Sequence, residues 1–488
     1  MPIHIYNTLS RAKEVLQPLE ENHVRLYVCG ITAYDYCHIG HARSALVFDL
    51  ITRYLRYRGY RVTYVRNFTD IDDKIIRRAQ ETGDSPQALA ERFIDAFHED
   101  MERLGVLLPD IEPRATEHIP EMIALVQELI DKGLAYPAGG DVFFAIDRFP
   151  PYGALSGRGL EEMQAGARIE INEVKRHPMD FVLWKGSKPG EPAWPSPWGE
   201  GRPGWHLECS AMSRKYLGEQ FDIHGGGQDL VFPHHENEIA QSHGACGQAP
   251  VRTWIHHGYV TIRGDKMAKS VGNFLTIRQV LADWHPEVLR LFIFSTHYRN
   301  PVDYAPEALR DAEAALTRLY ECLAAVARLP TEGAGQREVA SAAERERIAA
   351  LPARFEQAMD NDFHSAQALA VLFDGLKLLN RVLHALSPQP AAADLALLRQ
   401  GGASLRELAG VLGLVREEPV VWLAARQARL LAAIDLKVEE IEVKLQQRRA
   451  ARARKDFAAG DAIRDWLASR GIEIKDGPGG TNWQVREK

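Results

Sequence analysis

Two short segments of the chain combine basic side chains with glycine, a combination that suits the binding of a polyphosphate. The first segment is His38-Ile39-Gly40-His41. Gly40 allows a ligand to approach the backbone closely, and the two imidazoles can donate hydrogen bonds to phosphate oxygens. Taken alone, the tetrapeptide is equally compatible with two ordinary surface histidines beside a turn.

The second segment, Lys266–Ser270, reads Lys-Met-Ala-Lys-Ser and lies between Gly264 and Gly272. Its lysines, Lys266 and Lys269, can close over a polyphosphate and stabilise the charge that develops on departing pyrophosphate. A solvated lysine pair is the simpler explanation of this segment alone. The presence of both segments in one chain, in this order and far apart, favours nucleotide binding.

A third set of residues has the chemistry of a metal site. Residues 233–238 read Pro-His-His-Glu-Asn-Glu, and proline suits the first turn of a helix. His234 and Glu238 then lie four residues apart on one helix face, so that both side chains can reach one metal ion. The three-residue spacing from His235 to Glu238 works equally well.

Two cysteines complete the donor types that zinc prefers. Cys29 ends the first predicted strand, and Cys209 lies in a segment that reads Trp-His-Leu-Glu-Cys-Ser. Two thiolates, an imidazole and a carboxylate form a reasonable zinc set. Spacing alone does not join Cys29 to Cys209, and buried structural cysteines beside a polar helix start remain the alternative.

The elements that must position these residues begin with a strand–helix–strand unit. Val24–Cys29 is rich in β-forming residues, Gly40–Arg58 has helical periodicity, and Arg61–Val65 is a second strand. This order predicts a parallel sheet with a right-handed crossover. It places the first histidine motif at the N-terminus of the crossover helix, where the helix dipole favours an anion.

The composition excludes several classes of protein. The 488 residues, of which 45% are hydrophobic and 26% charged, indicate a globular chain with several modules. No apolar run approaches the ~20 residues of a membrane span, and the N-terminus lacks the pattern of a secretory signal. Five cysteines without paired spacing favour a reducing, cytoplasmic setting. With a net charge of −7, contact with RNA requires a local basic surface.

The two phosphate motifs resemble the HIGH and KMSKS signatures of class I aminoacyl-tRNA synthetases. The first is intact, and the second has Ala268 where serine is common, so one hydroxyl contact is in doubt. Further segments are similar to the cysteinyl-tRNA synthetase family, and the similarity runs essentially from end to end. These segments are Tyr34–His38, Asp222–Gly227, Asp229-Leu230, Ala453–Phe457, Ala462–Asp465, Gly471–Asp476 and Gly480–Trp483.

The resemblance implies an α/β fold, in which a Rossmann-like parallel-sheet catalytic domain with an insertion precedes a helical bundle and a small mixed α/β C-terminal domain. The expected parts are catalytic residues 1–135, a connective insertion 136–204, catalytic residues 205–262, a region 263–315 with the lysine loop and the stem contacts, a helical bundle 316–401 and an anticodon-binding domain 402–488. We expect many loops in the insertion because Pro and Gly interrupt it repeatedly.

The resemblance also implies a reaction and its residues. Cysteine is activated with Mg²⁺-bound ATP and transferred to the 3′ end of tRNA(Cys), with release of AMP and diphosphate. The family pattern assigns ATP binding to His38, Gly40, His41, Lys266 and Lys269, with the histidines and lysines catalytic. The family pattern assigns one zinc ion per chain to Cys29, Cys209, His234 and Glu238. We further expect Trp205 to pack against the substrate side chain and His224 to help orient the substrate.

A zinc ion would solve the problem of telling cysteine from serine. An apolar pocket gives only ~10- to 200-fold discrimination per small group. A thiol loses its proton to a metal and becomes a strong ligand, whereas a serine hydroxyl does so poorly. Four protein ligands resemble a closed structural site, so the metal must gain a fifth ligand or release one. For Trp205, a place in the core is nearly as well supported as substrate contact.

The C-terminal part contains a basic cluster of Arg448, Arg449, Arg452, Arg454 and Lys455 in one predicted helix. Such a surface suits a phosphate backbone. The alternative is a solvated helix face that pairs with nearby glutamates. Trp483 either stacks on an anticodon base or covers the core of the small domain. Nothing in the sequence indicates an obligate dimer, so we expect a monomer.

Two other functions fit part of the pattern. A tRNA-independent ligase that joins cysteine to an amino sugar would share the zinc and ATP motifs, but it has no use for an anticodon-binding domain. A catalytically inactive homologue that binds RNA or senses cysteine would be expected to lack a zinc ligand or a phosphate-binding lysine. Neither loss occurs here.

Overall fold

A computed structural model of the chain describes residues 2–157, 159, 174–266, 274–477 and 480–485. Its strands are β1 (His4–Asn7), β2 (Ala12–Val15), β3 (His23–Thr32), β4 (Arg61–Thr69), β5 (Ala135–Ala138), β6 (Asp141–Phe144), β7 (Phe181–Gly186), β8 (Gly201–Pro203), β9 (Phe221–Gly227), β10 (Val251–His257), β11 (Val260–Ile262), β12 (Asp265–Lys266), β13 (Val302–Tyr304), β14 (Ile472–Gly477) and β15 (Gly480–Val485).

Helices connect these strands and make up most of the second half of the chain. They are α1 (Ile39–Tyr57), α2 (Asp73–Thr82), α3 (Pro86–Leu104), α4 (Ile119–Asp131), α5 (Trp205–Leu217), α6 (Glu236–Cys246), α7 (Ile277–Asp283), α8 (Pro286–Phe294), α9 (Pro306–Ala327), α10 (Ala342–Ala349), α11 (Leu351–Met359), α12 (Ser365–Ala385), α13 (Ala392–Val411), α14 (Pro419–Ala433), α15 (Val438–Ala453) and α16 (Phe457–Ser469).

A four-stranded parallel sheet lies at the centre of the catalytic part. Its order is β10–β9–β3–β4, with β3 between β9 and β4. The apolar run of β3 is buried because both faces of a parallel sheet are covered. Helix α1 crosses from β3 to β4, as predicted, and ends just before Gly59, which has a φ of 86°. The sheet therefore places the carboxyl ends of β3 and β9 side by side.

The insertion contains more regular structure than its sequence suggests. Strands β5, β6, β7 and β8 form an antiparallel sheet in that order, and Trp184 is fully buried in it. The frequent Pro and Gly residues lie mainly in the connections between strands. The many loops expected for the insertion therefore accompany a regular antiparallel sheet.

A smaller sheet carries the first residue of the lysine motif. Strand β11 pairs in parallel with β13 and antiparallel with β12, and the backbone of Lys266 lies opposite Thr261. Lys269 and Ala268 lie outside the described residues. The chain resumes at Phe274, and Leu275–Ile277 pairs with the residues that precede α1.

The chain divides into two compact units. The first contains residues 1–316, 340–378 and 403–414, and the second contains 317–339, 379–402 and 415–488. The parallel fold, the insertion, the helical region and the C-terminal α/β part confirm the predicted fold class. The narrower domain boundaries remain predictions. In the described part of the chain, no helix is both long and apolar enough to cross a membrane.

Within the second unit, α15, α16 and the β14–β15 pair share a small core of leucine and isoleucine side chains. Trp483 lies in β15 rather than in the turn, packs against this core and donates a hydrogen bond to Glu442. The packing favours its structural role. Arg448 is only 3% exposed and pairs with Asp476, so it is not part of a basic surface for RNA.

Asp49 of α1 forms a buried ion pair that we expect to stabilise the first unit. Its carboxylate contacts Arg53 and Arg290 and accepts a hydrogen bond from the backbone of Leu107. Burial alone would raise the pKa of Asp49, but the two guanidinium groups outweigh burial and hold the pKa below its ordinary value. This contribution to stability is present above about pH 4 and is lost as the pH falls through the lowered pKa.

Replacing Asp49 with asparagine should lower the free energy of unfolding at pH 7 by about 3–5 kcal/mol, because the buried Arg290 loses the carboxylate of Asp49. Urea unfolding of both proteins measures this difference, which should shrink below about pH 4. Glu81→Gln removes an exposed pair with Arg78 and should change stability by less than about 1 kcal/mol. A difference that does not depend on pH would contradict this interpretation.

Candidate active site

A cavity of about 370 Å³ opens at the carboxyl ends of β3 and β9. This position follows from the parallel sheet, because loops at the carboxyl ends of its strands converge at one edge. Cys29, His38, Gly40, His41 and Trp205 all line the cavity. The structure thus brings together the phosphate-binding histidines, one candidate metal ligand and the candidate substrate contact.

The first histidine motif forms the N-terminal cap of α1. The Nδ1 atom of His38 accepts hydrogen bonds from the backbone N–H groups of Gly40 (3.0 Å) and His41 (3.3 Å). In return, the backbone N–H of His38 donates to Nδ1 of His41 at 3.3 Å. The two rings stack with centroids 3.8 Å apart. The backbone N–H groups of Gly40 and His41, which we expected to bind an anion, therefore already donate to the His38 ring.

This cap fixes which nitrogen of each imidazole can donate. Because Nδ1 accepts a hydrogen bond in both rings, the proton of the neutral imidazole must lie on Nε2. His38 and His41 can each donate one N–H bond to a ligand in the cavity. Phosphate oxygens, which are acceptors only, match this pair of donors.

The four predicted metal ligands meet beneath the cavity. They come from β3 (Cys29), α5 (Cys209), the turn before α6 (His234) and α6 itself (Glu238), and their ligand atoms all lie within 4.8 Å of one another. The two sulfur atoms are 3.6 Å apart, and Nε2 of His234 lies 3.0 Å from Oε1 of Glu238. Spacing in the sequence could not show that the two cysteines share a site. The structure brings them together because β3, which carries Cys29, lies next to α5, which carries Cys209.

A second set of ligands overlaps the first. It keeps Cys29 and Glu238 and replaces the other two residues with His224 and His235. The sulfur of Cys29 lies 3.4 Å from Nε2 of His224 and 3.3 Å from Nε2 of His235. In the structure, as in the sequence, either His234 or His235 could serve as a metal ligand. Of the two sets, only the first contains two thiols.

The electrostatics of this cluster suit a cation. Burial raises the pKa of the Glu238 carboxyl and lowers the pKa values of His224 and His235. Without a cation, burial thus favours the neutral forms of these groups. Nε2 of His234 is buried 3.0 Å from Oε1 of Glu238, but the two atoms are not aligned for a hydrogen bond. A metal ion between His234 and Glu238 would satisfy both groups, so the donor set fits zinc.

Two histidines that the sequence analysis missed support the cluster from outside. Nδ1 of His206 lies 2.8 Å from Nδ1 of His234, and Nε2 of His256 lies 2.7 Å from Nδ1 of His235. Such partners orient metal-binding imidazoles. The sequence held a signal for one of them, since His256 lies at the carboxyl end of a buried strand beside another histidine.

Trp205 and His224 occupy different environments. Trp205 is 38% exposed, lines the cavity and stacks on His234 with ring centroids 4.2 Å apart, so it is not a core residue. His224 is buried between Tyr27 and Trp254, at ring distances of 5.2 and 4.5 Å. This places His224 at the ligand cluster, beneath the surface that a substrate would contact.

The described residues before and after the lysine motif lie close to the same cavity. Before the motif, Tyr259 and Val260 line the cavity next to β12. After the motif, the backbone of Ile39 donates to Leu275, and the backbone of Ile277 donates to Cys37. Phe274 also meets the His38 ring edge-on at 5.1 Å. The two ends of the undescribed segment 267–273 thus both lie next to the start of α1.

Comparisons with known proteins agree with this arrangement. Residues 15–314 match the family model of the tRNA synthetases class I (C) catalytic domain, and residues 354–416 match the DALR domain. The chain is 60% identical to the cysteine–tRNA ligase of Desulfotalea psychrophila over 485 residues, which is 99% of each chain. It is 55% identical to that of Trichlorobacter lovleyi over 488 residues, with both chains fully covered.

Solved structures with much lower identity share the fold. The methionyl-tRNA synthetase of Mycobacterium tuberculosis, in complex with methionyl-adenylate, is 18% identical with a TM-score of 0.60 and covers 80% of this chain and 90% of its own. The putative arginyl-tRNA synthetase of Campylobacter jejuni is 14% identical with a TM-score of 0.52, covering 81% and 94%. These likenesses support the fold.

Proposed function

The chain belongs to the family of class I cysteine–tRNA ligases and charges tRNA with cysteine, and we propose that its own residues perform this reaction in the cavity beside α1. The observation that carries this proposal is the convergence of the His38–His41 cap, Trp205 and the buried ligand cluster on one cavity. ATP with Mg²⁺, cysteine and tRNA(Cys) are the reactants.

In the first step, the cysteine carboxylate attacks the α-phosphate of ATP. An oxygen–phosphorus bond forms, the bond to the β-phosphate breaks, and pyrophosphate leaves. The Nε2–H groups of His38 and His41 donate to the phosphate oxygens, and Gly40 allows close approach. Lys266 and Lys269 neutralise the leaving pyrophosphate. Fixed donors of this kind stabilise charge as it develops, without reorganisation during the reaction.

In the second step, the terminal ribose hydroxyl of tRNA attacks the carbonyl carbon of cysteinyl-adenylate. The ester bond forms, AMP leaves with the electron pair of the broken bond, and the phosphate of AMP takes up the proton of the hydroxyl. The protein needs no covalent intermediate. Its contribution in this step is to hold the two reactants in line.

Zinc is the cofactor that this ligand set supports best. Cys29, Cys209, His234 and Glu238 would hold it, because only this set offers the two soft sulfur donors that zinc accepts readily. A bound zinc ion would supply a preference for the substrate thiolate over the hydroxyl of serine. Trp205 covers His234 and would pack against the small side chain of the substrate, while His224 would orient the cluster from below.

The role of Trp205 predicts a specific kinetic defect. Trp205→Ala should raise the KM for cysteine roughly tenfold or more, because it removes an apolar wall of the substrate site. The KM for ATP and the zinc content should stay unchanged. Trp205→Phe keeps a ring over His234 and should retain most of the affinity. Steady-state pyrophosphate exchange measures both KM values, and metal analysis measures the zinc content. An unchanged KM for cysteine in the alanine variant would refute the substrate contact.

The tRNA-independent ligase that joins cysteine to an amino sugar is not favoured. The two relatives described above, which match essentially the whole chain, are cysteine–tRNA ligases, and residues 354–416 match the DALR domain. Five unpaired cysteines suit a reducing cytoplasm, which we propose as the site of the reaction. We also propose that the protein acts as a monomer, which sedimentation of the purified protein would test.

Charging of tRNA(Cys) by the purified protein tests the proposal directly. The expected result is rapid attachment of cysteine and negligible attachment of serine at equal concentration. Pyrophosphate exchange that depends on cysteine, without charging of tRNA, would instead support the amino-sugar ligase. Equal charging of cysteine and serine would refute the proposed role of the zinc site.

A further inference from the structure

Arg43, two residues after the first histidine motif, is fully buried between three backbone carbonyls. Its side chain is 1% exposed. The NH1 group donates to the carbonyl of Tyr259 at 2.6 Å, and NH2 donates to the carbonyls of Tyr298 (3.0 Å) and Asn300. Since α1 provides the arginine, three hydrogen bonds connect the helix behind the phosphate-binding histidines to two other segments.

Those two segments are the loop between β10 and β11 and the segment that leads into β13. They also bind each other, because the N–H of Gly258 donates to Tyr298 and the N–H of Val302 donates to Tyr259, both at 2.9 Å. A Cβ atom on Gly258 would lie 2.6 Å from the carbonyl oxygen of Asn300. The two backbones are therefore in direct contact, and Arg43 caps the contact from the side of α1.

The guanidinium of Arg43 is buried among uncharged acceptors. In the described part of the chain, no carboxylate pairs with Arg43, and burial lowers its pKa to about 10. The group still carries its charge at neutral pH, and a buried charge without a partner of opposite charge is costly. The planar guanidinium, however, offers five donors in a fixed arrangement that can hold three converging carbonyls at once.

The contact joins the two phosphate motifs. The start of α1 carries His38 and His41, and β11 pairs with β12, which contains the backbone of Lys266. After the lysine motif, Leu275 and Ile277 are hydrogen-bonded to Ile39 and Cys37 at the start of α1. Before the lysine motif, the position of the β11–β12 pair depends on the backbone contact between the segments that contain Tyr259, Tyr298 and Asn300. We call this contact the seam, and Arg43 connects it to α1.

We propose that Arg43 is a positioning residue that fixes the distance between the His38–His41 donors and the strand pair that carries Lys266. The proposal rests on the assignment of both motifs to the phosphates of ATP. Arg43 itself touches neither substrate nor phosphate. It sets the position of the histidines relative to the strand pair that leads into the lysine motif, and a misplacement of about 1 Å can cost about 100-fold in rate.

The test compares Arg43→Lys and Arg43→Met in cysteine-dependent pyrophosphate exchange, at a temperature where circular dichroism shows each variant folded. A lysine cannot reach three carbonyls in fixed directions, so we expect kcat to fall by about 100-fold in both variants. The KM for cysteine and the zinc content should not change, because the ligand cluster lies on β3, α5 and α6. Gly258→Ala, which pushes the same seam apart without touching Arg43, should also lower kcat.

Arg290, which is also buried but pairs with Asp49, provides a control. It is equally buried and donates to the carbonyls of Leu104, Gly105 and Leu412, but none of these residues contacts the cavity. Arg290→Lys should lower the midpoint of thermal unfolding and leave kcat of the folded protein unchanged. Arg43→Lys should lower both.

Three outcomes separate the explanations. If Arg43→Lys is less stable but has the wild-type kcat when folded, Arg43 is only structural and the proposal is wrong. A wild-type kcat in Gly258→Ala would likewise overturn it, and this result remains informative even if Arg43→Met does not fold. If the unmodified protein shows no cysteine-dependent exchange, the proposed function itself fails, whatever the variants do.

Discussion

Replacing Cys209 with alanine is expected to remove the metal and the activation of cysteine together. Cys209 supplies one of two sulfur atoms that lie 3.6 Å apart in the buried cluster. Loss of one ligand leaves Cys29, His234 and Glu238 to hold the ion. Even changes outside the ligand shell weaken metal binding about 10- to 100-fold, so we expect a larger loss here.

Two measurements check this result. Zinc content after dialysis should fall from about one ion per chain to a small fraction of that value. Cysteine-dependent pyrophosphate exchange should fall by more than about 100-fold. The matched control is Cys246→Ala, which removes a half-buried thiol on the same helix as Glu238 and should leave both values unchanged.

The same experiment decides between the two overlapping ligand sets. If the metal uses Cys209 and His234, then His235→Asn should weaken zinc binding only moderately, as the loss of a neighbouring group does. A Cys209→Ala protein that keeps its zinc, together with a His235→Asn protein that loses it, would assign the metal to His224 and His235 instead. The proposed ligand set would then be wrong.

The second large effect is expected at His38, whose ring both caps α1 and faces the cavity. We expect His38→Asn and His38→Ala to lower the kcat of cysteine activation by roughly 100- to 1,000-fold, the usual effect of removing one fixed donor to a charged transition state. Zinc content should stay the same in both variants, because His38 does not belong to the ligand cluster.

Comparison of the two His38 variants separates catalysis from helix capping. Asparagine can accept the hydrogen bonds of the first helical turn, whereas alanine cannot, so only His38→Ala should lose about 1 kcal/mol of stability. Thermal unfolding and pyrophosphate exchange measure the two effects independently. Wild-type activity in the folded His38→Asn protein would show that the histidine is needed only as a cap.

The sequence by itself determined the features that depend on neighbouring residues. The β3–α1–β4 unit followed from short-range periodicity, and the observed helix differs from the predicted one by a single residue at each end. The two phosphate motifs and the spacing from His234 to Glu238 were likewise visible. Family resemblance, rather than spacing, assigned Cys29 and Cys209 to one metal site.

Only the tertiary structure decided which distant groups face one another. It brought β3 beside α5, placed His224 and His235 within reach of Cys29, and left Trp205 at the cavity wall. It also turned Arg448 inward to Asp476 and buried Arg43 among three carbonyls. The physical reason is that a linear pattern encodes the conformation of a segment, whereas the direction of a buried polar side chain depends on partners supplied by segments far away in the chain.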